Sequence, residues 1–286
     1  MANENSIRLQ GHEKFALREG WLTKGLNEVE NPEYDNVFLE KEAAEIFGLG
    51  NNMVKSLRYW MRVFGLTNDN GSELSTFGKL VAEYDRYIED TFSLWIMHSQ
   101  IAKDIHNATS WYMYFNRCDA DDLDKSQINS ILYREISKYV PEKKVSEKSL
   151  ESDVDVLLNM YSKRKENDDP EDKSISPFSQ LALVKNSGGK YSKVHPSDKY
   201  FSELIVLYEI ASMLGGEDSL SIDALINGEK GLRRIYNLSS VVANDYLDKL
   251  DAAGYIKVDR TAGLDVIYPM KELDSDAILK EYYENK

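Results

Sequence analysis

Apolar residues recur at helical spacing along most of the chain. Leu17 and Trp21 lie four apart, and Leu22, Leu26 and Val29 continue the stripe, which predicts a first helix broken by Pro32. Leu39 to Phe47 reads as a second helix. Gly48 and Gly50 bracket a tight turn, after which Asn51 or Asn52 caps a third helix running to about Phe64. Asn68-Asp69-Asn70-Gly71 supplies the positive φ angles of a hairpin tip, and another helix starts at Ser75. Helix, turn, helix and hairpin in this order suit a winged helix. From Arg86 to Tyr139 the pattern stays helical and aromatic-rich, with Trp95, Trp111, Tyr112, Tyr114 and Phe115 expected in the core of a small bundle. Ser152 begins a further helix, Asp155 closes its capping box, and Val154, Leu157, Leu158 and Tyr161 form its buried stripe.

Periodicity then stops. Lys163 to Ser174 carries almost no apolar side chains and one proline, so it reads as a solvated connection. The expected division is an N-terminal domain over 1–165, a charged linker over 166–177 and a C-terminal domain over 178–286. Beyond the linker, Leu181–Val184 and Tyr191–Val194 flank Asn186-Ser187-Gly188-Gly189 as a β-hairpin, and Tyr200–Leu214 is a helix ended by Gly215-Gly216. Short helices follow at Ser221 and at Leu232–Tyr236. A longer one, capped by Ser239 or Ser240, runs to Ala253 and stops at Gly254. Tyr255–Val258 and Val266–Tyr268 around Thr261-Ala262-Gly263 make a second wing. The expected fold is mainly α with small β-wings: winged-helix modules joined by a helical bundle.

The length of 286 residues fits about two domains, and 42 % hydrophobic with 29 % charged residues can bury real cores. A single cysteine, Cys118, excludes an internal disulfide framework and a cysteine zinc site, and it fits a cytoplasmic protein. Met1 opens onto polar residues, and apolar runs such as Phe92–Met97 fall far short of the roughly 20 residues of a membrane helix. Neither secretion nor a membrane partner is expected.

Charge sharpens the picture. With 35 Lys and Arg against 49 Asp and Glu, the net charge of −14 repels nucleic acid, so any DNA contact must be local. Residues 51–65 hold Lys55, Arg58 and Arg62 and no acid, a local charge of +3, whereas residues 239–253 sum to −2. The 51–65 helix therefore suits DNA, with Asn51, Asn52 and Lys55 placed to reach base edges and Arg58 and Arg62 to hold phosphate. The same charges also suit a packing helix that needs a soluble face. The acidic second module points to a protein contact or a structural role.

Candidate chemistry concentrates in Gly11-His12-Glu13-Lys14-Phe15-Ala16-Leu17-Arg18, where an imidazole, a carboxylate and cations could bind a metal or polarise a phosphate; on composition alone, a capped helix start with a solvated face is the simpler account of them. Asp153 and Asp155 suggest a metal pair, but residues two apart on a helix face different ways. Gly50–Ser56 lacks the glycine before Lys55 that a phosphate-binding loop requires, so no nucleotide cofactor is expected. Metalloprotease, hydrolase and dinucleotide fingerprints are absent.

The segments GHEKFALREGWLTKGL (11–26), GLGNNMVKSLRYWMRVFGL (48–66), EDTFSLWIMHSQIA (89–102), TSWYMYFN (109–116) and ESDVDVLLNMY (151–161), in this order, resemble a bacterial family first described as a domain of unknown function. Its members act as the SspB-like component of DNA phosphorothioate modification and antiviral defence systems. The resemblance implies a protein that engages or nicks DNA while a non-bridging phosphate oxygen is replaced by sulfur. It also implies a cysteine desulfurase, an ATPase and a sulfur transferase as companions. A nick would be metal-assisted hydrolysis with Mg2+ or Mn2+. His12, Glu13 and Arg18, in the first block, would be base or ligand and phosphate clamp; Asp153 and Asp155, in the last, would be metal ligands. The alternatives are a non-catalytic DNA-binding adaptor that recruits protein partners, and a transcription regulator.

Overall fold

The computed structural model describes residues 6–162, 175–197 and 201–286. It is mainly helical with small antiparallel sheets, and its contacts divide into two compact units, Met1–Val194 and His195–Lys286.

In the first unit, Gly20, with φ 76°, precedes α1 (Trp21–Val29). Leu17 is buried but lies ahead of that helix, so the apolar stripe begins in an irregular stretch rather than in a helical segment. The stretch expected as one helix over 39–47 divides into a 3-10 turn at Val37–Leu39 and a short α2 (Ala43–Phe47). Gly48 ends α2 in the left-handed region, and α3 (Asn51–Val63) follows with Gly50 at its N-cap. Asn51 and Asn52 are thus first-turn residues, not caps. The 68–71 tip is closed by Gly71 N–H to the Asn68 carbonyl and by a bridge between Thr67 and Leu74. Ser75 caps α4 (Thr76–Tyr84).

The expected bundle is present as α5 (Thr91–Lys103), α6 (Thr109–Arg117), α7 (Lys125–Tyr139) and α8 (Glu147–Ser162). Trp60 of α3, Trp95 of α5 and Trp111 of α6 are all buried in its core. Because α8 starts five residues before Ser152, that serine is interior and caps nothing, and the expected capping box with Asp155 does not form.

The expected linker lies in part outside the described residues, at 166–174. Its last residues, Ile175 to Pro177, are packed rather than solvated: Ile175 and Ser176 are buried, and Phe178 in the following 3-10 turn stacks on Phe64 at 4.8 Å. Hairpin β1 (Val184–Ser187) and β2 (Lys190–Lys193) belongs to the same unit. Tyr191 and Leu123 exchange backbone hydrogen bonds of 2.8 and 3.1 Å, and the Lys193 ammonium donates to the Cys118 carbonyl at 2.6 Å. These apolar and backbone anchors move the unit boundary to 194/195.

In the second unit, α9 (Glu203–Leu214) ends at left-handed Gly215, as expected. β3 (Leu220–Ser221), α10 (Ile222–Asn227), α11 (Leu232–Tyr236) and α12 (Ser240–Ala252, capped by Ser239) precede β4 (Ile256–Asp259) and β5 (Val266–Pro269). The sheet order is β3-β5-β4, all antiparallel. Arg260 ties β4 back to α12 through Asp248 at 2.8 Å and Asn244 at 2.9 Å. A last helix, α13 (Ser275–Glu284), packs on α9 and was not anticipated from the sequence pattern.

Gly78 shows how tightly the first unit is seated. Ser75 Oγ accepts from Gly78 N–H at 2.9 Å and donates to the Gly65 carbonyl at 2.5 Å, which draws the start of α4 onto the 65–66 backbone. A Cβ at position 78 would sit 1.9 Å from the Leu66 carbonyl oxygen, which is backbone and cannot swing away. Gly78→Ala should lower stability by roughly 2–4 kcal/mol in urea unfolding, despite alanine's better helix propensity.

Candidate nucleic-acid interface

Two residues from opposite ends of the first unit meet in its interior. Residues 10–14 form a turn in which Gln10, Glu13 and Lys14 all have positive φ, at 57°, 49° and 67°. Such conformations are unfavourable for side-chain-bearing residues and persist only where surrounding contacts fix them. The fixing group is Asp153 on α8. Its Oδ1 accepts from Gln10 N–H at 2.8 Å and from His12 Nε2 at 2.9 Å, while Oδ2 accepts from Ser110 Oγ at 2.6 Å. Both His12 and Asp153 are buried, and the imidazole stacks on Trp60 at 5.8 Å with Tyr59 and Trp111 edge-on.

The ring's tautomer follows from its partners. Lys14 N–H can only donate, and it lies 3.1 Å from His12 Nδ1, so Nδ1 carries the lone pair and Nε2 the proton that goes to Asp153. Neither nitrogen is left for a substrate. His12 is therefore a positioning residue for the turn, and the expected role as base or metal ligand has no available atom. Asp155, two residues on, is exposed on the other side of α8 and pairs with Lys125 at 2.6 Å. The structure does not bring Asp153 and Asp155 together. Among the described residues no three His, Cys, Asp or Glu side chains gather to hold a metal ion, and the donors already on Asp153 and Asp155 do not fit Mg2+ or Mn2+ there.

The turn's outward side chains have a different surrounding. Arg8, Gly11 and Glu13 line an open cleft of about 450 Å³ together with Lys55, Arg58 and Arg62 of α3, Phe38, Leu39 and Val54, and Asp69 and Gly71 of the tip. Gly11 is required at this junction, since a Cβ would fall 2.3 Å from the Tyr59 ring. Arg8 N–H donates to Thr109 Oγ1 at 2.9 Å, and its guanidinium sits 5.2 Å from the Tyr59 ring centroid. Arg58 donates to the Asn70 carbonyl, Arg62 to Asn107 Oδ1 at 2.7 Å, and Lys55 to Asn52 Oδ1 at 3.3 Å. These acceptors are neutral. The buried Arg62 Nε has no partner among the described residues.

Burial, and then the neighbouring Arg62 guanidinium, lower the pKa of Arg8 from its ordinary value; Arg58 acts the same way, against Tyr59 and Glu13. Burial, then Asp153, push the Tyr59 phenol well above its ordinary range, so it stays neutral beneath the cations. The result is a cleft in which four cations outnumber two carboxylates, Glu13 and Asp69, and in which Arg8 is repelled by Arg62 and Arg58, a repulsion that an anion would relieve.

Of the residues singled out from sequence, Lys55, Arg58, Arg62 and Glu13 share this cleft, and Asn52 supports Lys55. Asn51 is exposed at the start of α3. Arg18 is elsewhere: it stacks over Trp21 at 5.8 Å and lines a separate cavity of about 750 Å³ with Glu19, Tyr87 and Glu89. Arg8 carries no periodic signal in the sequence, because it lies ahead of the first helix and joins the cluster through tertiary contacts, its N–H bond to Thr109 and the turn that His12 anchors.

Residues 9–283 match a family described as a protein of unknown function, DUF4007. The chain belongs to that family. Two solved structures share the fold of this DUF4007 chain. A magnesium ion-bound SspB crystal structure has a TM-score of 0.83 at 24 % identity, covering 97 % of this chain and 88 % of that one. A second SspB crystal structure has a TM-score of 0.82 at 24 % identity, covering 98 % and 90 %. No curated protein matches the chain. Among the described residues no helix is long and apolar enough to cross a membrane.

Removing His12 would leave the Asp153 carboxylate buried with one donor fewer and open a void beside Trp60. His12→Ala should cost about 3–5 kcal/mol of stability by urea unfolding, and Asp153→Ala a similar amount. A double-mutant cycle should show the two losses to be far from additive.

Proposed function

We propose that this DUF4007 protein grips DNA by its sugar-phosphate backbone through the Arg8, Lys55, Arg58 and Arg62 cleft, as the DNA-engaging component of a phosphorothioate modification system. The observation that carries the reading is the set of four cations that line one cleft, outnumbering Glu13 and Asp69 and forming no carboxylate salt bridge among the described residues, in a protein whose overall charge is −14. In an acidic chain a cationic cleft of this kind is retained against the average composition, and phosphate is the ligand whose charge and geometry match clustered guanidinium groups.

In this reading α2, the 48–50 turn and α3 act as a helix-turn-helix with the 67–74 hairpin as its wing. Residues 220–269 form a second winged helix that does not hold DNA: Arg260 is already committed to Asp248 and Asn244, and α12 is acidic. That leaves the second unit for protein companions, among which the family resemblance implies a cysteine desulfurase, an ATPase and a sulfur transferase. Strand nicking lies outside the proposal. SspB has been crystallised with a magnesium ion, but the acids expected to hold such an ion here are bound to His12, Ser110 and Lys125. The adaptor form of the function is therefore favoured over the nickase.

Duplex binding measured by fluorescence anisotropy across a salt series tests this. The slope of log affinity against log salt should fall by about one for each of Arg8, Arg58 and Arg62 changed to Ala, and the weakening should be nearly uniform across DNA sequences. Unchanged affinity and slope in the triple variant would remove the proposal.

A further inference from the structure

The cationic cleft contains one side chain that charge does not explain. Leu39 is 66 % exposed, yet it lines the same cleft as Arg8, Lys55, Arg58 and Arg62. Its mounting is rigid. Val37 and Phe38, the other residues of the same 3-10 turn, are buried, and Phe38 stacks on Phe47 at 5.0 Å. The turn closes through Leu39 N–H to the Asn36 carbonyl at 2.9 Å, and Asn36 Nδ2 donates to the Asn70 carbonyl at 3.1 Å, the oxygen that Arg58 also holds. A Cβ on Gly71 would touch both Arg58 and Phe38, so hairpin tip, 3-10 turn and α3 form one packed wall. An exposed leucine on a mobile loop needs no explanation, but this one stands on backbone fixed by these contacts, at a cleft that four cations line.

We infer that Leu39 is a wedge that inserts between stacked base pairs and kinks the DNA held by the cleft. This rests on the proposed DNA grip and deepens it. Apolar wedges flanked by cations are the chemistry by which proteins unstack a base step and bend the duplex, with Arg and Lys holding the phosphates on either side. Lys55 and Arg58 supply those cations here. The exposed methyl groups of Leu39 lose their contact with water only when the bases part, so insertion turns a solvated apolar group into a buried one. Pyrimidine–purine steps, which unstack most readily, are the preferred targets, and the protein thereby selects sequence without hydrogen-bonding to bases.

End-to-end energy transfer in a short duplex carrying a central TA step, with dyes at both ends, reads the bend directly. The wild-type protein should raise transfer, consistent with a kink of roughly 20–90°. Leu39→Ala should bind with roughly tenfold lower affinity and leave the duplex straight, while Leu39→Met keeps the bend. Because Leu39 is exposed, both variants keep the fold, which circular dichroism verifies. Binding without any rise in transfer, or an equal bend with Leu39→Ala, would overturn the wedge and leave the backbone grip standing. No binding by the wild type at low salt would overturn both.

Discussion

One buried carboxylate organises the functional end of this protein. Asp153 takes hydrogen bonds from Gln10, His12 and Ser110, groups that lie 143, 141 and 43 residues away in the chain. A carboxylate out of water is stable only when its lone pairs are met, so the three donors are drawn to it and held. The N-terminal segment is thereby fastened to α6 and α8, and the left-handed conformations of Gln10, Glu13 and Lys14 are sustained by contacts that no local preference would supply.

The surface follows from that interior. With the turn pinned below, Arg8 and Glu13 are presented beside α3, where helical spacing has already placed Arg58 and Arg62 one turn apart. Burial, and then repulsion from Arg62 and Arg58, lowers the pKa of Arg8. Arg58 and Arg62 are tethered by neutral acceptors, Asn70 and Asn107, which orient them without cancelling their charge. Neutral tethering is the arrangement that keeps a cation available; the contrast is Arg260 of the second unit, whose charge Asp248 quenches. Both units are net acidic, −7 over residues 1–194 and −7 over 195–286, so the proposed DNA contact relies on cations concentrated locally in the cleft. The short-range field of the cleft acts where screening at physiological salt, with a Debye length of about 8 Å, mutes the rest.

Much of this was legible in the sequence. Helix periodicity located α3, α9 and α12 closely, glycine and asparagine placed the hairpin tip at 68–71, and counting charge per helix separated the basic helix from the acidic one. Family resemblance singled out both His12 and Asp153, but as separate catalytic and metal candidates. Their partnership is tertiary: no spacing rule connects residues 141 apart. The same limit hid Arg8 and separated Arg18 from the cleft. Packing also overrode local pattern at the boundary, because the polar run after α8 suggested a break that Phe178 and the β1–β2 hairpin bridge by anchoring to Phe64 and Leu123. Ser152 reads as a helix start in sequence because cap and interior serines look alike when the preceding turn, Glu147–Glu151, is itself charged.

Hydrogen exchange of the full chain, with and without duplex DNA, tests the account most directly. The predicted result is DNA-dependent protection confined to residues 8–14, 37–39, 51–62 and 68–71, with 240–264 unchanged. Protection centred on α12 and the β4–β5 turn, with none at the turn that Asp153 holds, would contradict it.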